Sequence, residues 1–184
     1  MASVFDRIKV RAGDTDRSAT WYRSQVNRIA SGKTAGQLFR EGKLQARPSV
    51  GRLNLFGYNP KLRAKLPYYD IFPLVLPLEP IKGGFMGMNF HYLPPLLRFR
   101  LLERMQARAS DRRFDSNTKF EVNYDDVKSI KIVKPTIKKY LYAYCQTGFL
   151  RINADDAAIA ISLPVQRFKK APEATVYADS RKFL

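Results

Sequence analysis

Residues 68–95 read YYDIFPLVLPLEPIKGGFMGMNFHYLPP, an almost uncharged block in a chain carrying 33 Lys and Arg against 16 Asp and Glu. The block contains Gly83-Gly84 between two apolar runs. Glycine supplies the backbone freedom a tight turn needs, so the block predicts a β-hairpin. In the first arm Pro73 and Pro77 cannot donate ladder hydrogen bonds, which points to an edge or bulged strand. The second arm alternates Phe85, Gly87, Asn89 and His91 against Met86, Met88, Phe90 and Tyr92. The hairpin is expected to be packing core, and the surrounding charge the working surface.

Outward from the hairpin, Ser49–Tyr58 (SVGRLNLFGY) predicts a strand with Leu53 and Leu55 on one face and Phe56 and Tyr58 on the other. NPKLRAKLP then forms a turn-rich loop carrying Lys61, Arg63 and Lys65. Pro94 and Pro95 suit the first turn of a helix, LLRFRLLERMQARA, where missing N–H groups cost nothing. On that helix Leu97, Leu101 and Met105 make an apolar stripe, and Arg100, Arg104 and Arg108 a parallel ridge about 100° round the axis. TKFEVNY (118–124) reads as a strand, and KSIKIV (128–133) pairs with it across an Asp125-Asp126 turn. A second helix is expected over 135–148, with Ile137, Tyr140, Leu141 and Tyr144 inward and Gly148 as its stop. FLRIN and AAIAISLP predict a final hairpin around Asn153–Asp156, followed by an extended basic tail.

The first 45 residues differ in character. Ser18 is placed to cap a helix with Trp21 or Tyr22, Val26 and Ile29 at helical spacing, ended by Gly32, and a shorter one is expected from Thr34 to Gly42 around Leu38 and Phe39. Helices with so few anchors must dock on something, so Trp21, Val26, Leu38 and Phe39 are candidates for packing on a partner. The expected organisation is a basic helical arm (1–45), a β-rich core domain (46–170) and a basic C-terminal tail (171–184). The fold class is α+β, a small, possibly SH3-like barrel with inserted helices.

The net charge is +17 and unevenly spread. Residues 1–66 carry 14 basic and 4 acidic side chains, residues 67–97 only Lys82 against Asp70 and Glu79. Such one-sided charge is usually retained for a polyanion or an acidic protein surface, although a solubility charge produces the same composition. No apolar run reaches the ~20 residues that span a bilayer. MASVFDRIKVRAG lacks a signal-peptide core, so the reading expects no membrane and a start in the cytoplasm. One cysteine, Cys145, permits no internal disulfide, and one histidine, His91, leaves no ordinary zinc set. No metal, cofactor or small-molecule substrate is expected.

Individual motifs are weighed in the same way. Gly83-Gly84-x-x-Gly87 lacks the Lys and Ser/Thr of a phosphate loop and serves the hairpin better. His91, between Phe90 and Tyr92, reads as a hydrogen-bonded, half-buried side chain, and Cys145 as a small core residue. Asp126-Val-Lys128 echoes the carboxylate-x-Lys triplet of metal-dependent nucleases, with Asp111 or Asp115 upstream, but suits a turn as well. Phosphate contacts need long cationic side chains on a rigid face, which the ridge supplies and Arg112 and Arg113 continue; a merely solvated helix face looks the same. Arg23, Arg28, Lys61, Arg63 and Lys65 complete the candidate contacts.

Leu66-Pro67-Tyr68-Tyr69-Asp70, Phe72-Pro73-Leu74 and Gly83-Gly84-Phe85, with Asn89 and His91 to Pro94, resemble the DNA-end protector, or head-completion, proteins of T4-like tailed phages, many from cyanobacterial hosts. The similarity extends from about Gly51 through Phe168, taking in Phe114-Asp115, Asn117-Thr118-Lys119, Lys134-Pro135 and Leu163-Pro164. The resemblance implies a virion protein, assembled in the host cytoplasm, that shields packaged DNA ends or completes the head at its neck, beside other virion proteins. The expected function is therefore binding, to double-stranded DNA ends or acidic virion surfaces. The competing readings are a tail or baseplate protein bridging subunits and a metal-dependent nuclease.

Overall fold

A computed structural model describes residues 42–111 and 115–184, with positions 10, 11, 24 and 40. The two expected arm helices, with Trp21, Val26, Leu38, Phe39, Arg23 and Arg28, and the ridge extension Arg112 and Arg113 lie outside the described residues. The described strands are β1 (Leu44–Gln45), β2 (Leu53–Leu55), β3 (Tyr69–Asp70), β4 (Leu74–Ile81), β5 (Gly84–Asn89), β6 (Ile137–Leu141), β7 (Phe149–Ile152) and β8 (Phe168–Lys169). The helices are α1 (Pro95–Gln106), α2 (Tyr124–Val127), α3 (Ala157–Ser162) and α4 (Glu173–Arg181). None is long and apolar enough to cross a membrane, among the described residues.

The hairpin is present as β4–β5, with Gly83 at φ +74° in the turn. It lies inside a six-stranded antiparallel sheet, ordered β1-β7-β2-β4-β5-β6. Pro73 falls just before β4, which is an interior strand and not an edge, and Pro77 is accommodated at a bulge, the other expected form. Along β4, β2 pairs with Leu74 and Val75 alone, so Pro77 and Pro80 lie beyond its reach, and the β4–β5 register shifts between Pro77 and Glu79. Mixed α and β content stands, but the sheet stays open where a barrel was anticipated: β1 and β6 end it, and β3 pairs with β8 in a separate ribbon.

Both faces of the sheet are buried, and the period-two pattern sorts the side chains between them. Leu53, Leu55, Leu74, Leu76, Met88, Leu150 and Ile152 face α1 and α3. Phe56, Tyr58, Val75, Phe85, Tyr140 and Phe149 form an aromatic cluster on the other side. There Phe85 stacks on Tyr140 with centroids 5.3 Å apart and is 2% exposed, a core residue as the hairpin reading required. α1 begins at Pro95 and buries Leu97, Leu101 and Met105.

Several elements differ from their sequence reading. Residues 137–141 are strand β6, paired along β5, and Pro135 opens only a short 3-10 turn. Tyr140 completes the aromatic cluster, and that packing overrides the helical spacing. Conversely, 157–162 is helix α3: Ala157, Ala158 and Ala160 are buried where it meets α1, and small side chains permit that approach. An apolar run this short has no period of its own to decide the matter. The segment 118–124 makes only an isolated bridge, Phe120 to Ala109, and 128–133 forms turns. Asp125 and Asp126 open α2, where Asn123 and Asp126 make a reciprocal capping box. The C-terminal segment forms α4, with Val176 and Ser180 buried and the Ser180 hydroxyl donating to the Tyr92 carbonyl at 2.6 Å.

A candidate nucleic-acid interface

The cations divide into those consumed by the fold and those displayed on it. Arg98, next to Leu97 at the start of the apolar stripe, is fully buried. Its Nε donates to the Leu93 carbonyl at 2.7 Å, Nη1 to the Ile161 carbonyl at 3.1 Å, and Nη2 to the His91 carbonyl at 3.3 Å and the Tyr177 hydroxyl at 2.8 Å. A planar guanidinium joins the start of α1, the end of α3 and α4 in one network. Arg52 is treated similarly, with Nη1 donating to the Ser116 carbonyl and to Asn153 Oδ1. Burial holds its pKa below the ordinary arginine value.

Arg100 and Arg104 project from the exposed side of α1, but the helix ends at Gln106, short of the expected run, so Arg108 is exposed on the turn that follows it. Arg108 Nη1 lies 3.3 Å from Asp126 Oδ1, so the lower end of the ridge leans on the α2 capping box. The second displayed group is the loop after β2, where Lys61, Arg63 and Lys65 are all exposed. Turn hydrogen bonds run from Arg63 N to Pro60 O at 3.2 Å and from Lys65 N to Leu62 O at 2.9 Å. The loop is fastened from outside by Lys170, whose ammonium donates to the carbonyls of Arg63, Ala64 and Leu66 at 3.1, 3.0 and 2.6 Å. An ammonium has three donors, and here all three are spent on main chain.

Lys170 follows β8, and β8 is set by a buried carboxylate. Asp70 Oδ1 accepts from Phe72 N at 3.0 Å and Arg167 N at 3.1 Å, while Oδ2 lies 2.7 Å from His91 Nδ1 and 3.3 Å from Asn89 Nδ2. Burial pushes this carboxyl up, but His91 and the two backbone donors outweigh it and hold the pKa below the usual range. Burial drives the His91 pKa down, against the attraction of Asp70. His91 is fully buried, where a half-buried ring was expected. The lowered pKa favours the neutral ring, with Nδ1 facing Asp70, and among the described residues its Nε2 meets no partner. The chain of support runs from Asp70 through β8 to Lys170 and the basic loop.

Exposed cations flank this support: Arg167 and Lys169 lie on or next to β8, and Tyr69 pairs with Lys169. Lys138 on β6 is half-buried over the Tyr92 ring, 4.1 Å from its centroid, and burial lowers its pKa to about 8. Cys145 is half-buried after β6, with its thiol raised to about 11 by burial. Of the candidate nuclease residues, Asp126 caps α2 and Lys128 Nζ pairs with Asp125 at 2.6 Å, while Asp111 and Asp115 both accept from Thr118. Among the described residues no three His, Cys, Asp or Glu cluster in a way that would hold a metal ion.

The structure thus gathers Lys61, Arg63 and Lys65 on one fixed loop and sets Arg100 and Arg104 on a separate helix, with Arg108 on the turn that closes it. Asp70, His91, Arg98 and Lys170 escaped sequence reasoning as a supporting set. Only the adjacent Lys169-Lys170 pair, at the end of the expected core domain, hinted at it. No curated protein and no solved structure matches the chain significantly. The family model described as phage T4 terminal DNA protecting protein matches residues 4–181, nearly the whole sequence, and the chain belongs to that family.

Proposed function

We propose that this chain is a virion component that completes the phage head at its neck and holds the ends of packaged duplex DNA by cationic contact. The observation that carries this reading is the separation of cations: Arg98 and Arg52 are absorbed by the fold, whereas the α1 ridge and the 61–65 loop present exposed charge from fixed backbone. Preorganised cations on rigid elements suit a stiff, regularly charged partner such as duplex DNA. Duplex DNA is favoured over an acidic virion surface because the family is described as DNA-protecting. The carboxylates of the nuclease reading are engaged in helix capping and local pairing, which supports binding without cleavage.

The test is a titration of the protein with linear duplex across a range of salt, with exonuclease protection of the ends as a second readout. The logarithm of affinity should fall by about 0.9 per phosphate contact for each tenfold rise in salt. Arg104→Glu with Arg108→Glu should flatten that slope and reduce protection. Asp126→Ala with Lys128→Ala should leave both nearly unchanged. Salt-insensitive binding would favour a tail or baseplate role, and Mg²⁺-dependent cleavage lost in the Asp126 variant would favour the nuclease.

A further inference from the structure

A ladder of phosphate contacts does not distinguish the end of a duplex from its middle, because the backbone charge is the same at both. Besides its terminal 5′ and 3′ groups, an end presents the uncovered face of its last base pair. An apolar group held among cations can cover that face, and the basic loop supplies one. Leu62 is 56% exposed, with Lys61 before it and Arg63 and Lys65 after it. Single exposed leucines are ordinary on protein surfaces. This one stands on a loop that the fold has immobilised.

Its own carbonyl accepts from Lys65 N at 2.9 Å and Leu66 N at 3.1 Å, closing the loop beneath it. The Lys170 ammonium ties down the carbonyls on either side of Lys65. Lys170 does so from a left-handed backbone, φ +72°, a conformation that non-glycine residues adopt at a cost and that tends to persist where geometry is needed. All this ordering serves a loop whose side chains at 61–65 are all exposed.

We propose that Leu62 is the end-reading residue: it lies flat on the exposed face of the terminal base pair while Lys61, Arg63 and Lys65 hold the last phosphates of the two strands. Apolar wedges inserted between interior base steps must unstack the duplex to enter. At an end the face is already open, so the contact needs no unstacking and favours ends over interior sequence. The inference rests on the DNA-end reading given above.

The experiment compares the full chain on a short blunt-ended duplex and on the same duplex closed at both ends by hairpin loops. The wild type should bind the open duplex tighter by about tenfold or more, the size of one modest apolar contact. Leu62→Ala should bring the two affinities together while leaving the closed duplex bound as before, and Leu62→Phe should keep the preference. Lys170→Met, which frees the loop, should lose preference as Leu62→Ala does. If the wild type binds neither DNA, the DNA-end reading itself fails and this inference with it. If the wild type prefers open ends and Leu62→Ala keeps that preference, or loses affinity for both duplexes equally, the role assigned to Leu62 is wrong and the DNA-end reading stands.

Discussion

Arg98 and His91 show how much of this fold hangs on single polar side chains. Arg98 satisfies the carbonyls of Leu93, His91 and Ile161, which are otherwise left without its donors in a dry interior. Arg98→Ala should therefore cost about 3–5 kcal/mol in urea unfolding, and Arg98→Lys should recover little, since an ammonium cannot span the same fork. Near-wild-type stability of the lysine variant would show that charge alone, not the planar fork, does the bridging. His91 gives a pH dependence of definite sign. Its folded pKa is depressed, so below the ordinary value of about 6.5 the unfolded chain takes up a proton that the buried ring refuses. Stability should be full above that value and fall as pH drops from about 7 toward 5, at no more than about 1.4 kcal/mol per pH unit. Asp70, also depressed, adds a further loss below about 4. Thermal melts of His91→Gln should be flatter across the upper window, whatever their absolute Tm; parallel slopes would remove His91 from the account. At this scale the sequence was legible for apolar residues and opaque for polar ones. Phe85 declares its burial by type, whereas Arg98 sits one position from Leu97 in a ridge-like run of arginines, and only the neighbouring carbonyls make it a core residue.

Elements were legible where their period was long and poorly legible where it was short. The β4–β5 hairpin and α1 follow from alternation, glycine and proline placement. β6 and α3 exchange identities against expectation, because five or six residues carry no decisive period and the neighbour decides. For β6 that neighbour is β5, brought unusually near at Gly84. A Cβ built there would stand 1.9 Å from the Tyr140 carbonyl oxygen. Gly84→Ala should push β6 away and destabilise the protein by roughly 2–3 kcal/mol, the usual cost of overfilling a packed site. The measurement is equilibrium unfolding, with near-ultraviolet circular dichroism reporting the aromatic cluster. A neutral result would mean that the two strands are not in close register at this point. The candidate site follows the same logic: Lys61, Arg63 and Lys65 could be named from composition, but their fixation by Lys170 depends on a contact across more than a hundred residues of sequence.

Across the whole molecule the closing contacts are long-range. β2 lies between β4 and β7, β3 pairs with β8, and Arg98 reaches Tyr177. Removing residues 172–184 should expose Val176's packing site and leave the Tyr92 carbonyl without Ser180. The truncated chain should melt lower and lose amide-exchange protection around 90–98; unchanged protection there would show that α4 is a passenger. The position of β2 has a consequence for the chain during its synthesis. Its second partner, Phe149–Ile152, is made nearly a hundred residues after Leu53–Leu55, and the β3 partner later still. Until the ribosome releases that distal third, one flank of β2 is an open hydrogen-bonding edge, and the loop that carries Leu62 has only its own turn bonds, without Lys170. The basic loop thus gains its last tie only when translation is nearly over, and refolding from denaturant should be slow, in the millisecond-to-second range of proteins dominated by non-local pairing.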